Sequence, residues 1–232
     1  MNTTPHVTVD GGVLSVRPRP IEGAPPGMGR PLVMDPVRTA VVIVDVQRYF
    51  METPPFSSMQ AILQPLAQFL PVARRAGVAV VHVRTEFDPD MTDAGRPGSR
   101  TRVMMDSVGR ALVRGNRLAD IAPELDPDAS DIIVTKTRFS GFWGSNLDEV
   151  LRTRGIDSLI FAGGTTTVCV ESTLRDAVFL EYNPLVLSDC TQDMSPELHE
   201  SALRRIDMFF GWVCTSTDLA AALQAIQRVT AI

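Results

Sequence analysis

The sequence predicts an α/β chain wound as three layers, with a mainly parallel sheet of six strands held between two layers of helices. Three observations lead there. Runs such as TAVVIVDV and VAVVHVRT are too continuously apolar and β-branched for half-exposed strands, and they suit a sheet covered on both faces. Segments of helical spacing separate these runs, so strand and helix alternate with short joins, the signature of a doubly wound sheet. The chain has 232 residues, 44% hydrophobic and 21% charged, which is enough to bury one substantial core.

Taken in order, residues 1–37 hold most of the prolines outside helical patterns and read as an irregular arm; residues 38–232 read as one domain. Thr39–Val46 is the first buried strand. Residues 57–76 have helical spacing, with a kink expected at Pro65, and Gly77 closes the helix. Val78–Thr85 is the second strand. The polar, Pro- and Gly-bearing stretch 86–102 is long for a connection, and loops of that length are frequently covers over active sites. Asp131–Lys136 is a strand, Asn146–Gly155 a helix and Asp157–Gly164 a strand. Val168–Tyr182 is a helix and Pro184–Asp189 a strand. Ser195–Phe210 is a helix opened by an N-cap Ser with Pro behind it. GWVCT is a short last strand and residues 217–229 a closing helix.

Composition narrows the function classes. The net charge of −5 offers no general polyanion surface, so neither nucleic acid nor an anionic membrane is expected as a partner. No apolar run approaches the length of a membrane span, and the opening MNTTPHVTVDGG has no secretory pattern, so a cytoplasmic location is expected. Three cysteines do not pair completely and lack zinc-site spacing. The most informative count concerns the cations. Of 22 basic residues only Lys136 is Lys, and an ammonium, unlike a guanidinium, adapts its protonation to its surroundings.

Doubly wound sheets bind ligands beyond the carboxyl ends of their strands. Asp45 ends the first strand, Lys136 ends the third, and Cys169 lies just past the glycines that end the fourth, so all three belong to one edge. A thiol at a helix start faces unpaired N–H groups that favour thiolate, although Cys169 reads equally as a small buried hydrophobe. Cys190 and Cys214 read as the latter. Asp45 is either a sheet-end hydrogen-bond acceptor or the partner of Lys136, in which case carboxylate, ammonium and sulfur form an activated nucleophile without histidine. The histidines do not compete: His6 is in the arm, His82 reads as a satisfied core residue, and His199 is expected to be exposed. No metal-ligand spacing and no phosphate-binding glycine loop is present, so neither metal nor cofactor is expected.

IVDVQ with Asp45, TKTRFSGFWGSNLDEVL with Lys136 and AGGTTTVCVESTLRDA with Cys169 resemble the three signature segments of the isochorismatase-like cysteine hydrolases, in order and over about residues 37–215. Within that family the likeness is greatest to the ureidoacrylate amidohydrolase type, through RFSGFWGSNLDEVLRTRGI, VCVESTLRDAVFLEY and FFGWV. The resemblance implies Cys169 as nucleophile, Asp45 as general base and Lys136 as the charge organising both. It also implies a cis peptide joining Gly164 to Thr165, with the N–H groups of Thr165 and Cys169 receiving the substrate oxygen. Departures exist. Phe139 stands where relatives tend to carry Tyr, Thr167 where many have Asn or Asp, and VHVRTEFDPD offers Arg84 and Glu86 where the nicotinamidase branch holds a metal.

The implied activity is cleavage of a C–N bond in a small amide or ureide (ureidoacrylate, biuret or N-carbamoyl type) through a thioester, by an enzyme forming homodimers or tetramers. Gln47, Phe50, Arg84, Phe139 and Trp143 are the candidate substrate contacts, with Arg84 suited to a carboxylate; Phe139, Trp143 and Arg84 read equally as ordinary core or surface residues. Two rival readings are an isochorismatase-type vinyl-ether hydrolase, for which the cysteine is dispensable, and a non-catalytic binding protein on the same fold.

Overall fold

The computed structural model describes residues 7–18 and 29–230. Its main sheet has six parallel strands, β4 (Thr39–Val44), β5 (Ala79–Thr85), β6 (Ile132–Lys136), β7 (Ser158–Gly164), β8 (Asn183–Gln192) and β9 (Trp212–Cys214), in the order β6-β5-β4-β7-β8-β9. The chain builds outward from β4 in one direction through β6, then returns to the other side of β4 to lay down β7, β8 and β9. Connections from β4 and β7 therefore diverge, and a crevice opens between their carboxyl ends.

All six residues of β4 are buried, as its unbroken apolar run requires, and they alternate between two cores. Val41 and Ile43 face a core built with α2 (Leu63–Arg75) and α7 (Ser216–Thr230). Ala40, Val42 and Val44 face a second core with α4 (Leu147–Thr153) and α5 (Glu171–Phe179). The remaining α-helices are α1 (Arg48–Glu52), α3 (Arg100–Ser107) and α6 (Pro196–Arg205), the last capped as expected by Ser195, whose Oγ accepts from the Leu198 N–H at 3.3 Å. Pro65 falls in the first turn of α2, where an absent N–H is harmless, and the segment before it is a 3₁₀ turn over Phe56–Ile62. Among the described residues, no helix is long and apolar enough to cross a membrane.

The expectation of an irregular arm is corrected. Val7–Asp10 (β1), Val13–Val16 (β2) and Leu32–Met34 (β3) form a three-stranded antiparallel sheet; residues 19–28, with much of the proline, and His6 lie outside the described residues. Gly11 and Gly12, both at positive φ, make the two-residue turn that suits a right-twisted hairpin. Strand alternation then turns Leu14, Val16, Leu32 and Met34 inward, where they join the α2–α7 core, and the Trp212 indole donates to the Arg30 carbonyl at 3.0 Å. Prolines crowd the linking segment, whereas the strands are held by apolar burial. Replacing fully buried Leu14 with Ala will lower the unfolding free energy by about 2–5 kcal/mol, read by denaturant titration; an unchanged midpoint would show that the small sheet does not dock.

Candidate active site

Four neighbouring strand ends deliver one cluster. In sheet order they bring Lys136 from β6, Thr85 from β5, Asp45 from the residue after β4, and Gly164 from β7. Asp45 leaves the strand at φ 54°, its N–H held by the Val83 carbonyl at 2.9 Å, and this turn aims its carboxylate back across the sheet edge. Oδ1 accepts from the Thr85 N–H at 3.0 Å and from Thr85 Oγ1 at 2.8 Å; Oδ2 lies 2.8 Å from Lys136 Nζ. Nζ also donates to Thr85 Oγ1 at 2.7 Å and to the Arg138 carbonyl at 3.0 Å, and it stands 3.7 Å from Cys169 Sγ. Asp45 and Lys136 are almost fully buried.

Cys169 arrives by a different device. Gly163, at φ 112°, runs so close to β4 that any Cβ would collide with the Val44 carbonyl, and the peptide after Gly164 is cis. The chain then forms a π turn over Thr166–Val170 before α5 begins, which places Cys169 half-buried at the cavity wall. Two contacts fasten this turn. Asp193 Oδ2 accepts from the Thr167 N–H at 2.6 Å and from Thr167 Oγ1 at 2.7 Å; Thr166 Oγ1 is 2.9 Å from His199 Nδ1. His199 is thus half-buried and engaged, contrary to the expected exposure, because α6 packs its side chain against the turn and the Ser188 carbonyl. His82 is buried against Asp131, 3.1 Å away.

The protonation states follow from this geometry. Burial works to discharge Lys136, but the Asp45 carboxylate and the sulfur outweigh it and keep its pKa above the ordinary lysine range. For Cys169, burial is the largest influence and raises the pKa. Lys136 opposes it, while the charge of Asp45 and its hydrogen bond with the thiol reinforce it, so the net shift is well upward. Burial thus works against the thiolate that a helix start favours, and the net direction is toward the thiol. Cys190 and Cys214 are buried, as small hydrophobes would be.

The cluster forms the floor of a cavity of about 200 Å³. Phe50 and Phe139 line it, as expected, together with Gly164 and Thr165. Gln47, Arg84 and Trp143 do not. Gln47 is wholly buried and braces Thr85, accepting from its N–H at 2.9 Å and donating to its carbonyl at 2.8 Å. Arg84 is held by Glu86 at 3.0 Å, because strand alternation sends Thr85 to the crevice and its neighbours elsewhere. Trp143 is exposed, in a run of bends and turns over residues 137–146. Nor does the 86–102 stretch reach the cavity: the wall comes from Met104 to Leu112 just beyond it. Sequence reasoning missed Thr85, Arg138, Asp193 and this wall. For Thr85 the signal was present, as the hydroxyl residue ending a strand beside Asp45.

Comparison with known proteins agrees with this architecture. Residues 39–218 match the isochorismatase domain family. The ureidoacrylate amidohydrolase RutB of Caulobacter segnis is 38% identical over 212 residues, covering 83% of this chain and 89% of that protein. Its counterpart from Agrobacterium fabrum is 35% identical over 224 residues, covering 88% and 98%. Among solved structures, a cysteine hydrolase from Pseudomonas syringae pv. phaseolicola superposes with a TM-score of 0.76 at 33% identity, covering 83% of this chain and 95% of that one. The N-carbamoylsarcosine amidase of Thermoplasma acidophilum does so at 0.65 and 26% identity, covering 77% and 96%. With the matched segment spanning most of the chain and all four strand ends of the crevice, this protein belongs to the isochorismatase family.

Proposed function

We propose that the chain is a cysteine-dependent amidohydrolase that cleaves a C–N bond of a small amide or ureide through a thioester. The observation that carries this reading is one ammonium touching both a carboxylate and a sulfur at the floor of a cavity: Lys136 Nζ lies 2.8 Å from Asp45 Oδ2 and 3.7 Å from Cys169 Sγ. The amidohydrolase and amidase activities in the names of the relatives support the same chemistry.

The cycle begins with the neutral thiol. As Sγ attacks the substrate carbonyl carbon, its proton passes to Asp45, which shares the Lys136 ammonium with the sulfur. Charge is conserved in this step: before it Lys136 faces the Asp45 carboxylate, and after it the negative charge sits on the substrate oxygen while Asp45 and the sulfur are both neutral. The carbonyl oxygen becomes an oxyanion received by the main-chain N–H groups of Thr165 and Cys169; losing one such donor typically costs about 10²–10³-fold in rate. Protonated Asp45 then gives its proton to the leaving nitrogen as the C–N bond breaks, leaving a thioester and free ammonia or amine. Water attacks the thioester, yielding one proton to Asp45, and the sulfur departs and recovers that proton. Lys136 stays an ammonium throughout. When the substrate is a ureide, the released carbamate decays to ammonia and carbon dioxide.

Substituting Cys169→Ala will lower ammonia release from any amide substrate by about 10³-fold or more, measured by coupled assay; retained turnover would place the chemistry elsewhere. A second outcome concerns the thiol. With its pKa raised, wild-type Cys169 will react slowly with iodoacetamide at neutral pH and faster only in the alkaline range. Asp45→Asn removes the anion that disfavours thiolate and leaves Lys136 to favour it, so labelling will rise at lower pH than in the wild type while hydrolysis is lost. Equal labelling profiles would remove Asp45 from its role as the proton's acceptor.

A further inference from the structure

Away from its floor, the cavity is hydrocarbon. Its lining includes Met104 and Met105 of α3, followed by Val108 and Leu112, together with Phe50 packed edge-to-face on Phe56, ring centroids 5.3 Å apart. The Met104–Leu112 wall belongs to a separate small core under the β5–β6 excursion, in which Phe87, Met91 and Ala119 back Met105 and Leu112. This wall is therefore fixed from behind rather than being a loose flap of exposed side chains.

The polar groups lie at or near the floor rather than on this wall. Thr85, Asp45 and Lys136 satisfy one another at the floor. Ser107 Oγ donates to the Met104 carbonyl at 2.6 Å, within its own turn. Arg138 is the one charged lining residue outside the Asp45–Lys136 pair, and of its guanidinium only Nη1 is committed, to the carbonyls of Asp93 at 2.8 Å and Thr137 at 2.7 Å. A polar limb laid against the Met104–Leu112 wall would leave water to meet methionine, valine and leucine side chains, and its desolvation would go largely uncompensated.

The geometry points to a substrate whose limb beyond the scissile carbonyl is a compact apolar group: the enzyme selects amides or ureides carrying a short hydrocarbon chain or ring, with Met104, Met105, Val108 and Leu112 as the specificity-determining wall. This inference rests on the amidohydrolase reading for the chemistry, but not for the binding. The two methionines make the wall adaptable in shape while keeping it apolar, which suits a range of hydrocarbon outlines.

The test uses the full chain carrying Cys169→Ala, titrated calorimetrically with propionamide, butyramide, pentanamide and hexanamide, and in parallel with biuret and ureidoacrylate. Each added methylene will tighten binding about fourfold until the cavity is filled, and hexanamide will bind more tightly than biuret or ureidoacrylate. Met105→Gln in the same background will shrink the gain per methylene. A flat series, or tighter binding of ureidoacrylate or biuret than of hexanamide, overturns the inference. Ammonia release by the wild type from the same compounds separates the two claims. Chain-length-dependent binding without turnover of any of them would overturn the hydrolase reading and uphold the apolar site. Turnover of the polar ureides with a flat binding series would do the reverse.

Discussion

The contact between Lys136 and Asp45 governs how the rest of the molecule is arranged. Both charges are buried, and removing either would strand the other without solvent, a loss of about 3–5 kcal/mol in comparable buried pairs. Their separation is set by backbone: one belongs to the end of β6, the other to the turn after β4, and β5 lies between them. Thr85, at the end of that middle strand, takes a hydrogen bond from Nζ and gives one to Oδ1, so the pair is stitched across three strand ends. Gln47 in turn braces the Thr85 backbone. A slip of the sheet register by one residue would turn these side chains to opposite faces.

The same contact explains why a chain with 21 arginines keeps one lysine. Three protons on a compact ammonium reach Asp45, Thr85 and the Arg138 carbonyl from one point, with the sulfur close by. A planar guanidinium spreads its donors along a fork and would need a wider site.

Much of this was legible in the residues. Buried parallel strands announce themselves as unbroken β-branched runs, and the carboxyl-edge rule was enough to bring Asp45, Lys136 and Cys169 together. What escaped did so for identifiable reasons. Proline content in residues 1–37 obscured VTVDGGVLSV, although its alternation around a Gly-Gly turn is a hairpin pattern. Arg84 was favoured over Thr85 for its charge, when the two-residue period allows only one of them to face the crevice. Trp143 lies in a segment of bends and turns, where no regular period sets which way a side chain faces. The protonation of Cys169 depends on how deeply three groups are enclosed, which no local motif encodes. The apolar wall comes from an excursion with no motif of its own, because any set of hydrophobes that fills the space would serve.

The docking of β1–β3 on α7 bears on where the folding unit begins and ends. The segment shared with the family, residues 39–218, omits all three small strands and severs α7 after its third residue. A protein trimmed to that segment would lose Leu14, Val16, Leu219 and Leu223 from the core they share with Phe69, Leu70 and Ile43, presenting greasy surface to its neighbours. The portion that the family model matches is therefore smaller than the portion that packs as one core, and the stretch before its first strand is as much a piece of the scaffold as the helix that closes it.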